Sequence, residues 1–307
     1  MGISAEFARE LSRRGARVVL VARSKDKLAK LASEHPNAEF ITEYLAAPGA
    51  AQRVFNAVAV MGLQVDVLVN DAGLGTHGGF GDLPLATQRE AIDPNVGVLV
   101  ELTHLFLPML EIRQGGVINV ASTAAFQPVP YKAVYAATKA FFLSFSEALW
   151  AEYRPRGVRV VALCPGATET PFFARAGEGV ALGKKAPAED VVRLGLKSFT
   201  ANRASVVHGT ANYLTALSAR ITTREFMNEL TAKLTKPRTP QLEVRLAQKV
   251  EVEPCKALKV VIKRSERRAM LDRQRGQMRV CGEIARRSRA CQQAPHQAGV
   301  ARSGIEQ

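Results

Sequence analysis

Two residues one helical turn apart, Tyr135 and Lys139, could carry acid–base chemistry. Residues four positions apart on a helix stand on the same face, so this phenol and this ammonium can point into one cleft. Tyrosine has a reference pKa of about 10, and a nearby cation lowers it by favouring the phenolate. The same spacing also occurs in ordinary pairs on helix surfaces, so the accompanying residues decide between the two interpretations.

A hydroxyl and an amide accompany this pair. Ser122 directly follows the apolar run 116–121, a predicted strand, and ligands bind at the carboxyl ends of the strands in open α/β sheets. A hydroxyl there can hydrogen-bond a substrate carbonyl oxygen and orient it towards Tyr135. Asn95 stands at the start of the preceding predicted helix, where an amide either fixes a water molecule or caps the helix.

The rest of the sequence supplies the elements that must position these residues. From residue 5 to about residue 270, short β-branched runs alternate with helical patterns, which predicts an α/β fold with helices on both faces of a parallel sheet. Strands are predicted at 16–22, 38–43, 65–70, 116–121, 158–164 and 204–208, and helices at 5–14, 25–34, 50–61, 96–110, 133–153, 188–201, 210–220 and 223–235.

The charge of the chain is unevenly distributed. The net charge of +14 over 307 residues suggests a polyanionic partner. However, residues 238–307 carry 16 Lys/Arg against 7 Asp/Glu and have no clear periodicity. We therefore predict a domain at 1–237 and a basic, weakly ordered C-terminal extension at 238–307. Binding of nucleic acid through residues 256–289 would rest on charge alone, because no aromatic stacking pattern accompanies it, and we predict no specific nucleic-acid partner.

Cysteine usage and the apolar runs indicate the cellular compartment of the protein. The four cysteines form no Cys-x-x-Cys pair, which indicates a reducing compartment and no metal site. The start lacks the pattern of a signal peptide, and the apolar run 96–110 is short and interrupted. These features predict a cytoplasmic protein without a transmembrane segment.

Five motifs in order resemble the short-chain dehydrogenase/reductase family over residues 2–237. The resemblance implies a Rossmann-type doubly wound parallel sheet. It also implies hydride exchange between a nicotinamide cofactor and a carbonyl/alcohol pair. The motifs are Val69-Asn-Asp-Ala-Gly73, Asn95, Asn119-Val-Ala-Ser122, Tyr135-x-x-x-Lys139 and Cys164-Pro-Gly-Ala-Thr-Glu-Thr170.

The resemblance also implies roles for individual residues. Tyr135 would be the general acid or base, and Lys139 would lower its pKa and hold the nicotinamide ribose. Ser122 would polarise the carbonyl, and Asn95 would position a water in the proton relay. The implied cofactor-binding residues are Gly2, Ile3, Arg23, Asn70, Ala72, Gly73, Tyr135, Lys139, Pro165, Gly166 and Thr170.

Cofactor choice can be argued from the end of strand 16–22. An acidic residue there would bind the 2′-hydroxyl of NAD, whereas a cation accommodates the 2′-phosphate of NADP. The sequence places Arg23-Ser-Lys25 at this position. NADP(H) is therefore favoured over NAD(H).

The sequence departs from the family pattern where nucleotide would bind. The family opens with a strand and Thr-Gly-x-x-x-Gly-x-Gly, of which Gly2-Ile-Ser4 matches only the end, with Ser4 in place of the third glycine. Tyr44 replaces an Asp expected after strand 38–43, and Asp71 replaces the second Asn of Asn-Asn-Ala-Gly. The sequence thus predicts an N-terminally truncated member whose sheet lacks its first, central strand, with a gap between strands 16–22 and 65–70.

One segment could fill that gap. Residues 258–262, Leu-Lys-Val-Val-Ile, have strand character. Insertion is disfavoured because no glycine-rich turn follows the segment and its lysines would be costly to bury.

Two functional hypotheses follow. The first is an oxidoreductase that transfers hydride between NADP(H) and a carbonyl or secondary alcohol. The apolar segments 126–130 and 167–185 suggest a lipophilic substrate, and the family implies a homodimer or homotetramer through helices 96–110 and 133–153. The alternative is a non-catalytic protein of this fold, a remnant or binding protein that does not hold dinucleotide.

Overall fold

Seven strands form one sheet in the part of the chain that the computed structural model describes, which is residues 2–71, 73–170, 185–237 and the backbone of 259–263. The strand order is β2-β1-β7-β3-β4-β5-β6, and every neighbouring pair is parallel except the two that involve β7. The strands are β1 (Arg17–Ala22), β2 (Ala38–Thr42), β3 (Val67–Asn70), β4 (Gly116–Val120), β5 (Arg159–Cys164), β6 (Ser205–Val207) and β7 (Lys259–Lys263).

Helices cover both faces of this sheet, as the alternating pattern predicts. The helices are α1 (Ile3–Arg13), α2 (Lys25–Ser33), α3 (Ala50–Val60), α4 (Leu85–Ile92), α5 (Val98–Arg113), α6 (Ala133–Tyr153), α7 (Ala188–Thr200), α8 (Thr210–Ile221) and α9 (Arg224–Thr235). Phe7 of α1 and Val191 of α7 belong to the core on one face, and Val54 of α3 and Phe106 of α5 belong to the core on the other.

The central strands are continuous apolar runs because both of their faces are buried. Val18, Val19, Leu20 and Val21 of β1 are all 2% exposed or less. Successive side chains of a strand point to opposite faces, so Val18 and Leu20 join the core with α1 and α7, and Val19 and Val21 join the core with α3 and α5. The doubly wound architecture predicted from the sequence is therefore confirmed.

The place of the missing central strand is filled by β7, which overturns the expectation of a gap. Its Val261 pairs with Val19 of β1 on one side and with Leu68 of β3 on the other, antiparallel to both. The compact unit that contains the sheet extends to Arg264. Residues 259–263 thus belong to the sheet and not to a separate extension that begins at 238.

The physical reason is the need for backbone partners. Without β7, the facing edges of β1 and β3 would bury N–H and C=O groups that no strand satisfies. The apolar residues 260–262 take the middle of the strand, and Lys259 and Lys263 stand at its two ends. An antiparallel strand also needs no glycine-rich turn into α1, because the chain does not continue from it into that helix.

The helix predicted at 96–110 is part of a longer helical run. Leu85–Ile92 leads through a π-helical turn, Asp93–Gly97, into Val98–Arg113. This run, 85–113, is the one helix in the described ranges that is long and apolar enough to cross a membrane by length and composition. Its Leu102, Phe106 and Leu110 are fully buried in the core with α3, a packing typical of the core helix of an α/β sheet.

Candidate active site

Tyr135 and Lys139 lie on the first turns of α6, beside the carboxyl end of β4. The Lys139 side chain is buried, and its Nζ donates a hydrogen bond of 2.6 Å to the carbonyl oxygen of Val120, the last residue of β4. The same Nζ lies 6.0 Å from the centre of the Tyr135 ring. The two side chains therefore share one side of α6 and face the end of the sheet.

Ser122 reaches the same place from the chain that leaves β4. Its backbone is extended, and its Oγ accepts a hydrogen bond of 3.2 Å from the Ala124 N–H at the start of the 3₁₀ turn Thr123–Ala125. The Ser122 and Tyr135 hydroxyls are hydrogen-bonded to each other. The structure thus brings a serine, a tyrosine and a lysine together at the edge where the sequence places them.

The pKa of Tyr135 is shifted in the direction opposite to the one that the sequence suggests. Burial raises the pKa of this phenol to about 12, the hydrogen bond from Ser122 opposes the rise, and the negative charge of Asp71 adds to it. The net change is a rise because the loss of solvent around the phenolate outweighs the stabilising hydrogen bond from Ser122. Tyr135 is a protonated phenol at neutral pH, which is the form that donates a proton.

Asn95 does not cap a helix. It lies in the π-helical turn and is fully buried. Its Nδ2 donates to Thr138 Oγ1 at 3.0 Å and to the Leu74 carbonyl at 3.3 Å, while its Oδ1 accepts from the Leu74 N–H at 3.1 Å. Asn95 therefore fastens the loop after β3 to α6, one turn from the catalytic candidates.

Gly73 allows this loop to approach the lysine closely. A Cβ at Gly73 would lie 3.3 Å from Asn95 Oδ1 and 3.4 Å from Lys139 Nζ. The contact with Asn95 would be tighter than side chains normally make, and the Cβ would touch Lys139, so glycine leaves the space beside Lys139 open. This is a cradle of the kind that a ribose could enter.

Asn70 is placed differently from the expectation that it lines the cofactor crevice. Its side chain is 1% exposed and donates to Asn119 Oδ1 at 2.8 Å, and Asn119 donates to Ser146 Oγ of α6 at 2.9 Å. This buried chain of hydrogen bonds ties β3 and β4 to α6. Asn119 and Ser146 are the residues that the sequence interpretation missed, although Asn119 begins one of the quoted motifs.

The amino end of α1 approaches the end of β3. Gly2 is the N-cap of α1 and offers no side-chain cap. Both the hydroxyl and the backbone N–H of Ser4 donate to the carboxylate of Asp71, which follows β3 directly. Burial raises the pKa of Asp71 to about 6, against the opposing effects of Ser4 and the positive charge of Lys139. Two of the departures from the family pattern, Ser4 and Asp71, thus contact each other.

The remaining predicted positions lie along the same edge or outside the described residues. Arg23 follows β1 and is half-buried, and the Pro165 carbonyl accepts a hydrogen bond of 3.0 Å from the Thr123 N–H. A Cβ at Gly166 would lie 2.3 Å from Asn212 Nδ2 of α8, so a larger residue there would require the Asn212 side chain to move. Ile3 packs partly buried against the core, and Thr170 is half-buried. Ala72 and the segment 171–184 lie outside the described residues.

A cavity of about 500 Å³ lies beside α6 and α9. Its wall includes residues 125–130, together with Arg224 and Asn228 of α9. Its lining from α6 consists of Ala133, Ala136, Ala137 and Ala140 and does not include Tyr135. This cavity therefore flanks the candidate catalytic residues without containing them.

The site fits a nicotinamide cofactor unequally along its length. Lys139, Gly73 and Asn95 leave a polar cradle beside Tyr135 that suits the nicotinamide ribose. At the phosphate end, α1 points its first N–H groups at the edge of the sheet, as in dinucleotide-binding folds, but the Asp71 carboxylate already bonds Ser4 there. The residues present thus suit the nicotinamide end of the cofactor. At the end of the site where the phosphates would lie, the Asp71 carboxylate already occupies the helix N-terminus.

A doubly wound sheet with Ser122, Tyr135 and Lys139 at its carboxyl edge defines a Rossmann-type fold with an oxidoreductase site. The family model described as short chain dehydrogenase matches residues 1–181, which is more than half of the chain. The protein belongs to the short-chain dehydrogenase/reductase family.

Curated relatives and solved structures agree with this assignment. The human very-long-chain 3-oxoacyl-CoA reductase is 34% identical over 172 residues, 53% of this chain and 55% of that protein. The mouse 17-beta-hydroxysteroid dehydrogenase type 3 is 33% identical over 178 residues, 56% of this chain and 58% of that protein. The chain thus spans about half the length of the curated relatives it matches.

Two solved structures show the same fold. A short-chain dehydrogenase from Sphingobium yanoikuyae in complex with NADPH superimposes with a TM-score of 0.64 at 29% identity, covering 72% of this chain and 90% of that one. A 7beta-hydroxysteroid dehydrogenase gives a TM-score of 0.67 at 26% identity and covers 75% of this chain and 92% of that one.

Proposed function

We propose that the protein is an NADP(H)-dependent reductase of a carbonyl compound, or a dehydrogenase of the matching secondary alcohol. The observation that carries this proposal is the cluster of Ser122, Tyr135 and Lys139 at the carboxyl end of β4. A nicotinamide bound there would donate hydride to the carbonyl carbon of a ketone, or accept it from the carbinol carbon of the matching alcohol. The protein's own residues supply the proton and the orientation.

In the direction of reduction, the Tyr135 hydroxyl gives its proton to the carbonyl oxygen, whose C–O π electrons become the new O–H bond. The phenolate left on Tyr135 receives the hydrogen bond of Ser122, which lowers the pKa of the phenol. Ser122 also orients the substrate oxygen towards Tyr135. Lys139 is fixed by Val120, and its positive charge lies next to the cradle at Gly73. Asn95 is a positioning residue, because its hydrogen bonds hold the loop after β3 against α6.

The substrate class follows from two kinds of support. The segment 125–130 lines an apolar cavity beside α6, and relatives of this chain are called 3-oxoacyl-CoA reductases and hydroxysteroid dehydrogenases. We propose a lipophilic ketone. NADPH oxidation should be followed with a 3-oxoacyl-CoA and with a steroid ketone, and a small hydrophilic ketone should serve as the comparison. Turnover of the hydrophilic ketone alone would contradict this substrate class.

The cofactor preference is proposed to depend on Arg23. This guanidinium stands at the carboxyl end of β1, where a cation accommodates a 2′-phosphate. Replacing Arg23 by alanine is expected to weaken NADP+ binding by about tenfold, the scale of one charge-assisted contact, and to change NAD+ binding little. Calorimetric titration with both cofactors measures the ratio, and exposed Lys27→Ala on α2 is a control. An equal loss for both cofactors would contradict this role.

The alternative function is a protein of this fold that binds no dinucleotide. Its support is the phosphate end of the site, where Asp71 contacts Ser4 and the antiparallel β7 stands in the position of the family's first strand. Titration of the full chain with NADP+ separates the two functions, because the reductase requires saturable binding.

We further propose that the protein forms a homodimer or homotetramer. The exposed Val100 and Ile112 of α5 support this assembly, and the mass measured by light scattering would test it.

A further inference from the structure

The amino end of α1 carries an internal anion. The first backbone N–H groups of a helix have no intrahelical acceptor and attract negative charge. In this protein, the Ser4 N–H and the Ser4 hydroxyl both donate to the carboxylate of Asp71. The Gly2 N-cap supplies no side-chain acceptor. Asp71 therefore takes, from the end of β3, the role of a bound anion at this helix end.

The same location is where this fold places the pyrophosphate of a dinucleotide. A carboxylate and a pyrophosphate at one helix end repel each other and compete for the same N–H groups. The charge on Asp71 therefore opposes cofactor binding, whereas Lys139 stays hydrogen-bonded to Val120 beside Gly73.

We propose that Asp71 and Ser4 form an internal anion clamp that competes with the cofactor pyrophosphate, so that the ionised carboxylate sets a low dinucleotide affinity and its protonation releases the site. This inference rests on the proposed function, because it concerns the cofactor of that site. Asp71 and Ser4 would thus control the affinity for the dinucleotide, a role separate from proton transfer by Tyr135.

The groups that face Asp71 fix the direction of its pH dependence. From α1 these are the Ser4 donors, and from α6 they are Lys139 and the Tyr135 phenol. From β7, the backbone register places Lys259 beside Asn70, the residue before Asp71. Burial outweighs the stabilising effects of Ser4 and Lys139 and holds the pKa of Asp71 at about 6. The carboxyl is thus neutral below this pH and ionised above it, so dinucleotide affinity should fall as the pH rises through about 6.

The test compares the full-length protein with Asp71→Asn, which keeps the shape of the side chain and removes its charge. We expect Asp71→Asn to bind NAD+ about tenfold more tightly at pH 8, the effect of one nearby charge, and to lose the fall in affinity near pH 6. NAD+ is the main probe because a 2′-phosphate itself titrates at about pH 6. NADP+ provides the second series of titrations. In Asp71→Asn, any pH dependence of NADP+ binding near pH 6 comes from the 2′-phosphate of the ligand and not from residue 71.

Two further variants make the result specific. Exposed Asp82→Asn removes the same charge elsewhere and should change neither the affinity nor its pH profile. Ser4→Ala removes a donor that stabilises the ionised carboxylate, so the midpoint of the pH profile should move upward. Thermal unfolding without ligand shows whether each variant is folded.

The outcomes separate the two levels of the proposal. Equal affinities for the native protein and Asp71→Asn at all pH values would overturn the anion clamp and leave the reductase assignment standing. An unchanged pH midpoint in Ser4→Ala would also overturn the clamp. The absence of saturable binding by every variant would overturn both the cofactor assignment and the clamp.

Discussion

Replacing Tyr135 by phenylalanine is expected to lower kcat for ketone reduction by about 100- to 10,000-fold, the usual contribution of a general acid. The phenyl ring keeps the packing of α6 and loses only the hydroxyl that is hydrogen-bonded to Ser122. Cofactor affinity should therefore change little, because Lys139 remains held by Val120. Steady-state kinetics and calorimetric titration of the same preparation give the two numbers.

The control for this change lies on the same helix. Tyr153 is the last residue of α6 and stacks on Arg156, far along the helix from the site. Tyr153→Phe should keep kcat within about twofold, as expected for a change that removes no catalytic group. If Tyr135→Phe keeps normal turnover while folded and cofactor-bound, Tyr135 does not transfer the proton.

The pH profile of the native enzyme adds a related measurement. Because burial raises the pKa of Tyr135 to about 12, the phenol is protonated through the neutral range. Reduction, which needs the protonated form, should show no loss of kcat due to Tyr135 between about pH 7 and pH 9. A fall in kcat with an apparent pKa in that range, absent from Ser122→Ala, would indicate a phenol whose pKa is lowered in the working enzyme.

Replacing Val261 by proline is expected to destabilise the domain by about 3 kcal/mol or more, the effect of a proline that interrupts regular hydrogen bonding. Val261 is the middle residue of β7 and pairs with β1 on one side and β3 on the other. A proline removes a backbone donor from this ladder. Urea unfolding followed by circular dichroism measures the loss.

The matched control and the truncations make this result specific to β7. Val261→Thr keeps the backbone N–H and the β-branched shape, so it should retain most of the stability. A chain that ends at residue 237 should lose cooperative unfolding, whereas one that ends at Arg264 keeps every strand of the sheet. If the chain ending at 237 unfolds with native stability and cooperativity, β7 does not complete the sheet.

The local sequence pattern was sufficient to predict most of the strands and helices. The apolar run 16–22 and the helical pattern 133–153 reappear as Arg17–Ala22 and Ala133–Tyr153, because strand burial and helical periodicity are encoded by adjacent residues. The segment 85–95 is absent from the predicted elements, although it forms α4 and most of the π-helical turn that holds Asn95. Pro84 precedes this segment and Pro94 lies within it, and both obscure a regular helical pattern.

The sequence by itself determined the spacing of Tyr135 and Lys139 on one helix face and the position of Ser122 after a buried strand, since these depend on residues near in the chain. Only the tertiary structure decided that residues 259–263 join β1 and β3, because distant backbone edges needed partners. It likewise decided the contact of Ser4 with Asp71, 67 positions apart, and the rise in the pKa of Tyr135. Each of these depends on burial and on charges that come together only in the folded chain.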